Sequence, residues 1–309
     1  MPARALVTIL VLQVVAGLVV IGLLWGGSPF GGDTGGAGAA ASAAGPCPGG
    51  RAPRPVTSRF DGRRAFALLE RQLRLGPRPA GSPSGRRLGR ELRRALPRGR
   101  FQRVPGGLRN VVGTVPGRDR SRVVVVGAHY DTKDLPGFIG ANDGAGGTAA
   151  VVELARSIRP GELRATLQFV LFDGEESPRG ATNEEFAARG LRGSKVAARA
   201  FRRAEAMVLL DFVADRELSI LREGASDPGL WMRLRRAAAR AGVGCVFPDE
   251  TRGAVLDDHV PFARLGVPAI DLIDFDFPCF HRPCDDLSAV SERNLDASGE
   301  AVRELLSTM

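Results

Sequence analysis

The chain has 309 residues, 44% of them hydrophobic and 25% charged, which is enough to bury one sizeable core after a leader or anchor is set aside. Its 43 basic and 34 acidic residues leave a net charge of +9. The basic residues are nearly all Arg, Lys occurring only at 133 and 195, and they are not interleaved with aromatics in any recognised nucleic-acid motif, so no nucleic acid is expected as a partner.

In chain order, residues 5–25 come first after a short end, 1–4, expected in the cytoplasm because it carries Arg4. The run 5–25 is uncharged and, at about 1.5 Å per residue, just long enough to cross a hydrocarbon core of ~30 Å. The expectation is a transmembrane anchor, with Trp25 at its interfacial end. The alternative is a signal segment cleaved near Ala41-Ser42-Ala43. Either way the rest of the chain is expected outside the cytoplasm, anchored to the membrane or secreted. Residues 26–57, rich in Gly, Ala, Ser and Pro, read as a flexible linker. The basic stretch 51–103 is suited to lean on an anionic membrane surface.

The domain proper is read as 58–309. An amphipathic helix over 63–75 is stopped by Gly76-Pro77, and a second over 86–96 by Pro97. Strands follow at 108–115 and 123–128, the latter apolar enough to be buried on both faces. A helix covers 146–158, a strand 167–172, and a mostly helical stretch 183–200 is interrupted at Gly190. Strands at 206–212 and 218–221, a helix at 227–241, a strand at 268–273 and a helix at 291–307 complete the chain. This alternation predicts an α/β sandwich built on a mostly parallel sheet with helices on both faces.

The strand 167–172 delivers three acids in four residues, Asp173, Glu175 and Glu176. Unpaired burial of adjacent carboxylates is costly, so such a strand end points to a metal or to catalysis. The other candidates also follow strands or loops: His129 and Asp131, Asp143, Asp211, and His281. His and carboxylate together suit zinc better than calcium or magnesium. Of the three histidines, His259 reads instead as bonded within the turn 257–262. The glycines at 144–147 lack the Lys-Ser/Thr of a phosphate loop and read as a tight turn into the helix.

Taken together, His129-x-Asp131, Asn142-Asp143-Gly144, Asp173-Gly174-Glu175-Glu176, Asp211 and His281 with Asp285 resemble the zinc aminopeptidases of metallopeptidase family 28, which also contains the glutaminyl-peptide cyclotransferases. The resemblance covers roughly 60–309. It implies a mixed, mostly parallel sheet of the phosphorylase/hydrolase-like kind. It also implies zinc held by Asp143, Glu176 and His281, and a second ion, if bound, held by His129 and Asp211 with Asp143 bridging. Glu175 takes the general acid/base role, and Asp131 orients His129, with Asp285 also behind the ligands. Asp211 and Asp258 are expected to hold the amine and the tetrahedral intermediate. Phe280 and Phe277 are expected to line the substrate pocket.

Peptide or protein N-termini are the expected substrates. His129-Tyr-Asp-Thr-Lys133, the segment 257–268 and an insertion after Glu176 are similar to the cyclases, which convert N-terminal Gln to pyroglutamate with loss of ammonia. The insertion 177–189 departs from animal cyclases in having no Trp, and Phe280 stands before His281. Hydrolysis of N-terminal residues by an aminopeptidase is the alternative, and an inactive membrane-tethered binding protein a third. Of the four cysteines, Cys279 and Cys284 are close enough to bridge around His281, with Cys245 a competing partner.

Overall fold

The computed structural model describes residues 47–309, so the expected anchor at 5–25 and most of the linker lie outside the described residues. No helix among the described residues is long and apolar enough to cross a membrane. Residues 47–57, expected as the end of a free linker, instead pack on the domain. Cys47 is disulfide-bonded to Cys245, Ala52 is fully buried, and the Ala52 amide donates to Asn294 Oδ1 at 3.0 Å. Composition alone overlooked these two fixings, a distant thiol and a side-chain acceptor.

Among the described residues, six strands form one sheet: β1 (Arg100–Val104), β2 (Leu108–Val115), β3 (Asp119–His129), β4 (Ala165–Phe172), β5 (Ala206–Leu210) and β6 (Ala269–Leu272), in spatial order β1-β2-β4-β3-β5-β6. β2 is antiparallel to both neighbours, whereas β4, β3, β5 and β6 are mutually parallel. The register places Val126 opposite Phe169 on one side and Val208 on the other, with all three fully buried. Apolar β-branched runs in the middle of the sheet are what two covered faces require.

Among the described residues, six helices of eight residues or more flank the sheet: α1 (Gly62–Leu73), α2 (Pro83–Ala95), α3 (Gly147–Ser157), α4 (Arg192–Ala200), α5 (Pro228–Arg240) and α6 (Glu292–Leu306). Side-chain caps open four of them: Asp61, Ser82, Asp227 and Ser291 each accept from an amide three residues on. Residues of α1, α2, α3, α5 and α6 share one large core with one face of the sheet. Val112, Val125, Val170 and Met207 face the other way, onto Ala197 and Ala198 of α4 and onto Phe262.

The expected strand at 218–221 is not formed. Its Leu218 and Ile220 are buried, but the segment bonds only sparsely, Ile220 to Val246 and Arg222 to Glu250, with one isolated bridge to Thr251. Conversely β1, Arg-Phe-Gln-Arg-Val, carries too few apolar residues to announce itself, as an edge strand can.

Candidate active site

All four parallel strands release their chains at the same end of the sheet, where ligands bind in open α/β folds. β3 ends on His129, β4 leads into Asp173–Glu176, β5 into Asp211, and β6 into the segment that carries His281. Asp143 comes from the turn before α3. That turn holds Gly144 at φ +93°, which a side chain would strain, and a Cβ at Gly147 would lie 2.0 Å from the Leu210 carbonyl oxygen. Glycine at these two positions lets α3 seat against β5 and presents Asp143 inward.

Two donor triads result, sharing Asp143: His129, Asp143 and Asp211, and Asp143, Glu176 and His281, each with its ligand atoms within 4.8 Å of one another. His129 Nε2 lies 3.2 Å from Asp143 Oδ1 and 3.1 Å from Asp211 Oδ1. His281 Nε2 lies 3.0 Å from Glu176 Oε1 and 3.5 Å from Asp143 Oδ2, an oxygen that is buried without a hydrogen-bond partner. Buried carboxylates in this number demand a cation. An all-nitrogen-and-oxygen donor set with two imidazoles fits zinc.

The electrostatics follow from the crowding. Burial, then the neighbouring Glu176 charge, pushes the Glu175 carboxyl well above its usual range. Burial and Asp257 do the same to Asp211. Burial also acts to raise Asp143, but hydrogen bonding to His129 and the two imidazole charges outweigh it and hold its pKa down.

The supporting residues divide differently from expectation. The Asp131 carboxylate, expected to orient His129, sits 3.9 Å from His129 Nδ1, whose close partner is the Asp131 backbone oxygen at 3.0 Å. The carboxylate instead accepts from the amides of Gly174, Glu175 and Glu176 at 2.9–3.2 Å, and so shapes the loop that presents both glutamates. Asp285 accepts from the amides of Asn142 and Asp143 and does the same for the other loop. Asp173 accepts from the Arg109 amide, a structural tie between β4 and β2.

Above the donors lies a cavity of about 430 Å³, lined by His129, Asp143, Glu175, Glu176, Asp211 and His281, and walled by Phe186, Phe212, Phe275 and Phe280. Phe280 stacks on His281 at 3.9 Å between ring centroids, and Phe138 meets the same imidazole edge-on at 5.9 Å. Cys279 and Cys284 are bonded to each other in the loop around His281, and Cys245 pairs with Cys47.

Two expected residues are displaced. Asp258 is fully buried, does not line the cavity, and its two carboxylate oxygens have no hydrogen-bond partner; its neighbour Asp257 faces the cavity instead. Phe277 lies behind the wall, packed against Phe212 and Ile273 rather than on the cavity. The His259 carbonyl accepts from the Phe262 amide within its own turn, but its imidazole finds no partner there. Fully buried, it faces Glu223 Oε2 at 3.1 Å and Asp271 Oδ2 at 3.5 Å, from outside the turn.

Sequence reasoning counted Lys133 in a cyclase-like motif without giving it a role; its Nζ donates to Glu176 Oε2 at 2.8 Å and lies 5.8 Å from the Phe186 ring centroid. One of only two lysines in an arginine-rich chain was a usable signal. Arg78 was missed. It is buried, and donates to the carbonyls of Gln72, Gly76, Ile139 and Gly140, bracing the approach to Asp143.

Known proteins resemble this chain throughout the domain. A glutaminyl-peptide cyclotransferase of Drosophila melanogaster is 27% identical over 216 residues, 60% of this chain and 61% of that protein. The chain thus spans less than two thirds of that relative's length. The solved structure of a Porphyromonas gingivalis glutaminyl cyclase superposes with a TM-score of 0.70 at 28% identity, covering 82% of this chain and 100% of the other. That of a Bacteroides thetaiotaomicron leucine aminopeptidase precursor does so with a TM-score of 0.72 at 26% identity, covering 82% and 98%. Residues 110–306, which hold every donor of the two triads, match the profile of peptidase family M28, and the chain belongs to that family.

Proposed function

We propose that the chain is a zinc-dependent enzyme acting on the free N-terminus of peptides, converting N-terminal Gln to pyroglutamate with release of ammonia. The observation that carries this reading is the aromatic-walled cavity with Glu175 and Asp257 beside a complete His/carboxylate donor set. It suits a small, neutral, folded-back side chain attached to an amine. Likeness to glutaminyl cyclases over nearly the whole of their solved chains supports it.

Asp143, Glu176 and His281 would hold the zinc, which supplies Lewis-acid polarisation of the side-chain carbonyl. Glu175 accepts a proton from the α-amine as its nitrogen bonds to the γ-carboxamide carbon. It then returns a proton to the departing nitrogen as that C–N bond breaks, releasing ammonia. Asp211 and Asp257 hold the amine by charge and hydrogen bonding. The phenylalanine walls exclude water and keep the side chain folded towards the amine, which removes much of the entropic barrier to an intramolecular reaction.

A second reading, hydrolysis by an aminopeptidase, is favoured by one feature. His129, Asp143 and Asp211 also form a complete triad, suited to a second ion. We also propose that the domain lies outside the cytoplasm, at the membrane or secreted, a reading that pairing of all four cysteines supports. The full chain, incubated with Gln-initiated and Leu-initiated peptides, is expected to release ammonia from the former without shortening it. Release of Leu or Gln as free amino acids would establish hydrolysis instead, and no turnover of either peptide would overturn both readings.

A further inference from the structure

Positive charge is distributed very unevenly in this chain. Residues 83–109 hold nine arginines and one acid, Glu91, and thus eight of the nine net positive charges. Elsewhere arginines are balanced by acids in number, and some meet them directly, as in Arg64–Asp61, Arg122–Glu205 and Arg179–Asp134. Within 83–109, Arg87–Glu91 is the one ion pair among the described residues.

The fold gathers these charges. α2 buries Gly85, Leu88, Gly89 and Leu92, so Arg86, Arg87, Arg90, Arg93 and Arg94 form its exposed face. In the adjoining hairpin Arg103 and Arg109 stand directly opposite each other, a like-charge cross-strand pair that costs stability unless an anion bridges it. The two elements are continuous, because the Arg93 and Arg109 guanidiniums lie 5.2 and 4.7 Å from the Phe101 ring centroid. The turn between β1 and β2 leaves a hollow of about 510 Å³ bounded by Arg103 and Arg109.

We infer that this face is a docking surface for the anionic headgroups of a lipid bilayer. Guanidinium groups grip phosphate bidentately, and many exposed charges with few internal partners suit a surface of repeated negative charge. Single-stranded nucleic acid is disfavoured because the aromatic on this face, Phe101, is engaged by two guanidiniums and offers no platform for a base. The uncharged run at 5–25 is suited to hold the domain near such a surface. The inference does not depend on the catalytic reading.

The test uses the full chain in nanodiscs of phosphatidylcholine, with or without phosphatidylserine, selected by flotation so that only disc-bound protein is read. Phenylglyoxal modification of each arginine is followed by mass spectrometry. Arg86, Arg90, Arg94 and Arg103 should be modified several-fold more slowly on phosphatidylserine discs, while the exposed Arg202 and Arg203 react equally on both. The protection should fade as salt is raised. R90E/R94E/R103E should abolish the protection of Arg86 while leaving peptide turnover intact. Equal rates on both discs would overturn the inference. So would protection on phosphatidylcholine discs by inorganic phosphate or polyglutamate with none from phosphatidylserine, which would assign the face to a free anion or an acidic polypeptide.

Discussion

Two consecutive acids, Asp257 and Asp258, have opposite fates. Asp257 lines the cavity, whereas Asp258 is sealed beneath it with its oxygens unpaired, so burial pushes its carboxyl well above the usual range. Asp257→Asn should therefore lower kcat by about tenfold or more, within what a group that orients the reacting amine supplies, with little change in Tm. Asp258→Asn should leave kcat within about threefold and shift mainly Tm, because relieving a strained buried acid acts on stability. Steady-state kinetics and thermal unfolding of the two variants check this, and the reverse pattern would restore Asp258 to the active site. The sequence could not separate the pair, since adjacent residues in a turn point to different sides for reasons set by the turn. The same limit applied to Asp131, where backbone oxygen and carboxylate exchange their expected tasks. His129, Asp143, Glu176 and His281 were legible because a His or an acid directly after an apolar strand or a glycine turn has few structural reasons to be there.

The element that concentrates most of the function is the segment running from the end of β6 to Asp285. It supplies Ile273, Phe275 and Phe280 to the cavity wall, His281 to a donor triad, and Asp285 to the loop that holds Asp143. His281 has φ +53°, a left-handed conformation that costs energy for a residue with a Cβ, and the surroundings must hold it there. The Cys279–Cys284 bond and the Phe280 and Phe138 rings do so. A double Cys279→Ser, Cys284→Ser variant should lose only about 2 kcal/mol of stability at most, as expected for a short closed loop. Its metal affinity should fall by about tenfold or more, as when residues that orient a ligand are removed. Competition with a chromogenic chelator measures this; unchanged affinity would show that the rings suffice. The strands of this region were legible from their apolar runs. The left-handed turn at His281 was not, because no glycine marks it.

At the scale of the whole molecule, a parallel sheet gives strands distant in sequence one common end. That is why a list of residues spread from His129 to His281 could be assembled into a site before any geometry was known. What the sequence did not disclose were features with no periodic signal: the edge strand β1, the Cys47–Cys245 tie that draws 47–57 onto the domain, and the buried Arg78 behind the Asp143 loop. The charge asymmetry of 83–109 was visible in the residues, but its gathering onto one face needed the register of β1 with β2. The central claim is that Asp143 joins two donor triads into one metal centre. Elemental analysis of the purified full chain and of Asp143→Ala tests it most directly, with circular dichroism to establish that the variant is folded. The account predicts one or two zinc ions per wild-type chain, one favouring cyclisation and two favouring hydrolysis, and a folded variant that retains essentially none. A folded Asp143→Ala chain with its full complement of zinc would contradict it.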